Sequence, residues 1–241
     1  MARFLLVAGA WHGAWSWEFV IPLLVARGHR AAAVELPGMG ADRTPLAGLD
    51  MMAWANTVAR AIESDPEPPL LVGHSRGGAV ISQTAELVPE RIRANIYVTA
   101  LLLQNGETPL DVTALITDGA PAQGEFVPTP DGLAFQASPE VMALAYRHAA
   151  PALLERALTR ITPEPRFALL SPLALSPARY GKVPRAYIEC SDDELIPLSL
   201  QRAMQAREPC APVRTIATDH CPNYSAPERL AEALDEIAKT A

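Results

Sequence analysis

A serine between glycines, a late histidine and a cluster of carboxylates are the residues of this chain best suited to chemistry. Gly73-His74-Ser75-Arg76-Gly77 has the spacing G-x-S-x-G. It stands between an apolar run, Leu70-Leu71-Val72, and a helical pattern that opens at Arg76-Gly77-Gly78. A serine on such a strand-to-helix turn is strained, with its hydroxyl outward, and the flanking glycines let backbone and helix pack closely. The next N–H opens a helix, so it and the positive helix end face developing negative charge. The chemistry indicated is nucleophilic attack on an acyl carbon.

A serine hydroxyl needs a base, and the base needs an orienting acid. The expected chain order for this arrangement is serine, then acid, then histidine. Of the five histidines, His12, His29, His74, His148 and His220, only the last two follow the motif. His148 falls on a helical pattern. His220 falls in the loop after the last apolar run, Val213–Ile216, and is the better-placed base. The loop Ser191-Asp192-Asp193-Glu194-Leu195-Ile196-Pro197 offers three carboxylates. Spacing does not choose among them, but the acid that orients an imidazolium should face inward. Two donors must receive the oxyanion. The Arg76 backbone N–H is one. The other is expected from Gly9-Ala10-Trp11-His12-Gly13-Ala14-Trp15, with Ala10 N–H best placed because glycine before it permits close approach.

These residues need a frame. Short apolar runs alternate with longer helical patterns, the signature of βαβ units and a mostly parallel sheet. Strands are expected at Arg3–Val7, Ala31–Glu35, Leu70–Gly73, Ala94–Leu102, Arg185–Cys190 and Val213–Ile216. Helices are expected at Ser16–Arg27, with Ser16 as a cap, Pro22 in conflict and Gly28 as the stop. Further helices are expected at Asp50–Glu63, with Trp54, Val58 and Ile62 on one face, and at Arg76–Val88. Ser225–Lys239 closes the chain, with Ser225-x-x-Glu228 fitting a capping box. Gln104 to Gly181 loses the strand rhythm and is rich in proline. Its helical patterns are Ser138–His148, capped by Ser138 with Pro139 in the first turn, and Ala152–Ile161. This stretch reads as an insertion over the crevice at the carboxyl edge of the sheet, where open α/β sheets bind ligands.

The chain has 241 residues, 49% hydrophobic and 20% charged, which excludes a disordered or fibrous protein. Its 20 Lys+Arg against 27 Asp+Glu give a formal charge of −7, with no basic run. Neither nucleic acid nor an anionic membrane is an expected partner. Met1–Ala10 is apolar but too short to span a bilayer, and it reads as a buried first strand. Three cysteines, Cys190, Cys210 and Cys221, do not make a disulfide framework and suit a cytoplasmic location. No His/Cys cluster calls for a metal, and no cofactor is expected.

Together these residues resemble the α/β-hydrolase superfamily, and within it the plant methylesterase and hydroxynitrile lyase group with its bacterial esterase relatives. The family pattern H-G-A-x-H-G-A-W-x-W stands here as Ala8-Gly9-Ala10-Trp11-His12-Gly13-Ala14-Trp15-Ser16-Trp17. Glu35-Leu36-Pro37-Gly38-Met39-Gly40, Gly73–Gly78 and Asp219-His220 match further motifs. The resemblance places the acid on Asp193. It implies an α/β-hydrolase core at 1–103 and 182–241, a mostly parallel sheet flanked by helices, and a mainly helical cap at 104–181. Ala8 departs from the family's first histidine. Lyase members carry threonine where Gly9 stands and lysine where Cys221 stands, so cyanohydrin cleavage is disfavoured.

The expected function is that of a serine esterase acting on a small-molecule ester. Its catalytic triad is Ser75, Asp193 and His220, and its oxyanion hole the N–H groups of Ala10 and Arg76. Trp11, Phe126, Phe135, Met142 and Tyr146 are candidate pocket residues. Lactone, thioester or amide cleavage, a non-catalytic binding role on the same fold, and a homodimer are left open by the sequence.

Overall fold

The computed structural model describes residues 1–111 and 126–240; part of the expected cap, 112–125, lies outside them. Six parallel strands form the main sheet in the order β2-β1-β3-β4-β8-β9. They are β1 (Arg3–Val7), β2 (Arg30–Ala33), β3 (Leu70–His74), β4 (Ala94–Val98), β8 (Arg185–Cys190) and β9 (Val213–Ile216). Neighbours stay in parallel register, with Leu6 opposite Val72, Val72 opposite Ile96, and Val98 opposite Ile188.

The apolar runs are continuous because both faces of the sheet are covered. Successive side chains point to opposite faces. Phe4, Leu6, Val72, Ile96 and Ile188 therefore pack with α1 (Val20–Ala26) and α9 (Pro227–Thr240) through Val20, Leu24, Leu230, Leu234 and Ile237. Leu5, Val7, Leu71, Tyr97 and Tyr187 pack on the other face with α2 (Met51–Glu63), α3 (Gly77–Leu87) and α7 (Leu198–Arg207). Trp54, Val58 and Ile62 are all buried there, as their spacing requires. Asp50 caps α2 by accepting the Ala53 N–H at 2.8 Å.

Several element ends differ from expectation. β4 stops at Val98, because Thr99 turns into the left-handed region at φ +35°. Ala14–Trp17 is a 3-10 turn, so Ser16 does not cap α1, and α1 begins at Val20 with Pro22 tolerated in its first turn. Ser225 makes no capping box: it ends a short helix, α8 (Pro222–Ser225), and its hydroxyl donates to Asp219 and to the Cys221 carbonyl.

Between β4 and β8 the described residues form α4 (Pro139–Ala145), α5 (Pro151–Leu158) and α6 (Arg166–Leu170), with Ser138 capping α4 through the Val141 N–H. They also form an antiparallel sheet of β5 (Phe126–Pro128), β6 (Ala134–Ala137) and β7 (Glu164–Pro165), which the sequence did not announce. Val141, Met142, Ala145 and Tyr146 pack with Trp11, Cys221 and Tyr224, so this segment sits against the carboxyl edge of the main sheet. Among the described residues no helix is long and apolar enough to cross a membrane.

Candidate active site

Four of the parallel strands deliver the site at their carboxyl ends: Ala10 follows β1, Ser75 follows β3, Asp193 follows β8 and His220 follows β9. Ser75 has φ +52°, costly for a side-chain-bearing residue. The strain is held by the Ser75 N–H on the Val98 carbonyl at 3.2 Å and by the Gly78 and Leu101 N–H groups on the Ser75 carbonyl, each at 3.0 Å. Gly78 is required for steric reasons, since a Cβ there would lie 2.3 Å from the Leu101 carbonyl oxygen.

His220 Nε2 lies 2.9 Å from Ser75 Oγ and Nδ1 lies 2.7 Å from Asp193 Oδ2. An ionised carboxylate can only accept, so Nδ1 carries the proton and Nε2 accepts from the serine. Asp193 is itself saturated. Thr99 Oγ1 donates to Oδ2 at 2.5 Å, and the Leu195 and Ile196 N–H groups donate to Oδ1 at 2.8 and 2.9 Å. This four-donor cradle distinguishes Asp193 from its neighbours: Asp192 and Glu194 are exposed, and Glu194 pairs with Arg147.

The backbone of His220 is also fixed. Its carbonyl accepts from His74 Nε2 at 2.7 Å, and burial holds the His74 imidazole well below its ordinary pKa. Asp219, buried beside it, accepts the Cys221 N–H at 3.1 Å and the His148 N–H at 2.6 Å. His148, the rejected base, thus contributes its backbone N–H to the loop that carries His220.

On the opposite wall, His12 Nδ1 donates to the Ala10 carbonyl at 2.6 Å, and Tyr146 O–H donates to Nε2 at 2.5 Å. Desolvation lowers the His12 pKa to about 4, so the ring is neutral and the tautomer is set by these partners. Among the described residues the N–H groups of Ala10 and Arg76 have no protein acceptor. The Arg76 side chain pairs with Glu164 at 2.7 Å, both buried. Burial pushes the Glu164 carboxyl up, against the pull of Arg76 and the Trp11 N–H.

A small cavity of about 20 Å³ lies at Ser75, lined by Ala10, Trp11, His12, His74, Met142, Ala145, Leu195 and His220. Trp11 and Met142 were expected there. Tyr146 stands behind His12, while Phe126 packs on Trp11 and on Phe135, with ring centroids 5.5 Å apart in both pairs. Phe126, Phe135 and Tyr146 are not in the lining. The structure also places Thr99, His74, Glu164 and Leu195 at the site, which sequence reasoning had not assigned. Among the described residues no group of three or more His, Cys, Asp or Glu could hold a metal ion.

A strained serine on a strand-to-helix turn, at the carboxyl edge of a parallel sheet, is the arrangement to which known proteins can be compared. The sequence matches the alpha/beta hydrolase family model over residues 4–233. The chain is an α/β-hydrolase. Methylesterase 1 of Arabidopsis thaliana is 33% identical over 98% of this hydrolase and 95% of its own length. A pyrethroid hydrolase of Sphingobium wenxiniae is also 33% identical, over 97% of this chain and 86% of its own. A solved pyrethroid hydrolase superposes with a TM-score of 0.87 at 31% identity, covering 99% of this hydrolase and 98% of that chain. Polyneuridine aldehyde esterase gives 0.88 at 26% identity, covering 99% of both.

Proposed function

We propose that this α/β-hydrolase is a serine esterase for a small carboxylic ester, working through a Ser75-His220-Asp193 triad. The observation that carries the proposal is the unbroken hydrogen-bond relay from the Ser75 hydroxyl through His220 to a buried, four-donor carboxylate at the mouth of an apolar cavity. Relatives named methylesterase and pyrethroid hydrolase support an ester as the electrophile. The same reading assigns residues 1–103 and 182–241 to the core and 104–181 to a cap.

Ser75 Oγ attacks the ester carbonyl carbon while its proton passes to His220 Nε2. Asp193 stabilises the imidazolium formed. The carbonyl oxygen becomes an oxyanion between the N–H groups of Ala10 and Arg76, where one donor is worth about 3–4 kcal/mol to the transition state. Collapse breaks the ester C–O bond, and His220 returns its proton to the leaving alcohol. Water, deprotonated by His220, then cleaves the acyl-serine and frees the acid. Cys221 is buried, and desolvation pushes its thiol well up, so it supplies no cation for a leaving cyanide.

The test is hydrolysis of a panel of methyl, p-nitrophenyl and lactone substrates, with a serine-directed phosphonate as label. Turnover of open-chain esters, loss of turnover in Ser75→Ala and phosphonate mapped to Ser75 are expected. Full activity of Ser75→Ala would overturn the assignment, and a label at another serine would do the same.

A further inference from the structure

The Arg76 guanidinium has no part in the steps above, yet it is built into the site. It is 2% exposed and stacks 4.2 Å from the centroid of Trp54. Its Nε donates to Glu164 Oε1 at 2.7 Å, and its Nη2 donates to the Gly9 carbonyl at 2.9 Å. Glu164 Oε2 accepts the Trp11 N–H at 2.9 Å. One buried ion pair therefore grips both sides of Ala10: the carbonyl before it and the N–H after it. Trp11 is kept at φ +62° in the process, a conformation that needs outside support.

The Gly9 carbonyl and the Ala10 N–H belong to one peptide unit. A trans peptide is planar, and its C=O and N–H point in opposite directions. Tying the carbonyl to Nη2 turns the Ala10 N–H away from the guanidinium, and Ala10 lines the cavity beside Ser75. A cationic donor on the carbonyl also polarises the amide, so its N–H becomes a stronger donor. We infer that Arg76 serves the oxyanion hole twice, through its own backbone N–H and through a side chain that aims and polarises the Ala10 N–H, with Glu164 holding that side chain in place. Arg76 and Glu164 are, through their side chains, positioning residues for ester cleavage. The inference rests on the assignment of Ala10 and Arg76 as oxyanion donors.

Two variants test it without stranding a buried charge. Arg76→Lys keeps the balance with Glu164, but one nitrogen cannot reproduce the guanidinium fork. Arg76→Met with Glu164→Gln removes both charges together. For each, kcat and KM are measured on a p-nitrophenyl ester, together with the affinity of a trifluoromethyl ketone, whose adduct with Ser75 carries an oxyanion. The expected result is a kcat loss of about 10- to 100-fold, an equal loss of ketone affinity and a KM within about twofold. Unchanged kcat and ketone affinity in either folded variant, with Ser75→Ala inactive, overturns the inference and leaves the esterase reading standing. A loss confined to KM or to thermal stability also overturns it. Activity retained in Ser75→Ala refutes the reading beneath it instead.

Discussion

Replacing Thr99 by valine deletes one hydroxyl and nearly preserves the shape. That hydroxyl donates to Asp193 Oδ2 at 2.5 Å, the same oxygen that accepts His220 Nδ1 at 2.7 Å. Asp193 is 4% exposed, so water does not take over the vacated position. A hydrogen bond to a charged group in such surroundings contributes about 1.5–3 kcal/mol. The Leu195 and Ile196 N–H groups still hold Oδ1, so the carboxylate stays in the site but is free to turn about that anchor. If the whole contribution is lost from the transition state, kcat/KM falls by about 10- to 100-fold. If part is lost from the fold instead, Tm falls by about 2–4 °C for each kcal/mol in a chain of this size. A carboxylate less firmly aimed stabilises the imidazolium less, and the acid limb of the kcat/KM profile moves to lower pH. Thr99→Ser keeps the donor and most of the activity. The assay is steady-state ester hydrolysis across the acid limb for the three proteins, beside a thermal melt of each. A valine variant with the parent's kcat/KM and the parent's pH profile would refute the cradle argument.

Three other outcomes are expected. Cys190 and Cys221 are buried with thiols pushed well up, and Cys210 is pushed up to about 12, so the native protein reacts slowly with a disulfide reagent; rapid labelling of Cys221 before denaturation contradicts this. His12 ionises at about 4 when folded against 6.5 as a free imidazole, so only the unfolded chain gains the proton between those values and stability drops as pH falls through them. That loss is about 3 kcal/mol for this group, and His12→Gln should flatten the fall in urea midpoint from about pH 7 to about pH 4; an equal slope in both proteins refutes it. Gly78→Ala forces a Cβ against the Leu101 carbonyl and should cost about 1–3 kcal/mol with a larger loss of kcat, read by urea unfolding and ester turnover.

The strands of the main sheet, the Ser75 turn and the His220 loop carry local signatures in the sequence, whereas Asp193 is singled out from its neighbours only by the family resemblance. Leu70-Leu71-Val72 before the glycine motif reads as a strand without reference to anything distant, and Trp54, Val58 and Ile62 announce their helix by spacing alone. The supporting groups have no such mark. Thr99 was hidden inside an apolar run read as strand to Leu102, and only its positive φ brings the hydroxyl to Asp193. Glu164 lies in a proline-rich stretch, and its significance comes from a partner 88 residues away. Ser225 shows the opposite failure: its spacing to Glu228 fits a cap, but Asp219 and the Cys221 carbonyl take the hydroxyl in the fold. Pairings across the chain are decided by topology, which a local pattern does not encode.

The strand β7 is fastened to the body of the enzyme by a pair of opposite charges sealed from water. Lifting it as a hinged flap would part them in a dry setting, at a cost of about 3–5 kcal/mol. Met142, with its pliant thioether, and Leu195 both line the cavity at Ser75, where their bulk limits what it can hold. Trimming those two residues would admit bulkier molecules to the chamber while β7 stays fastened.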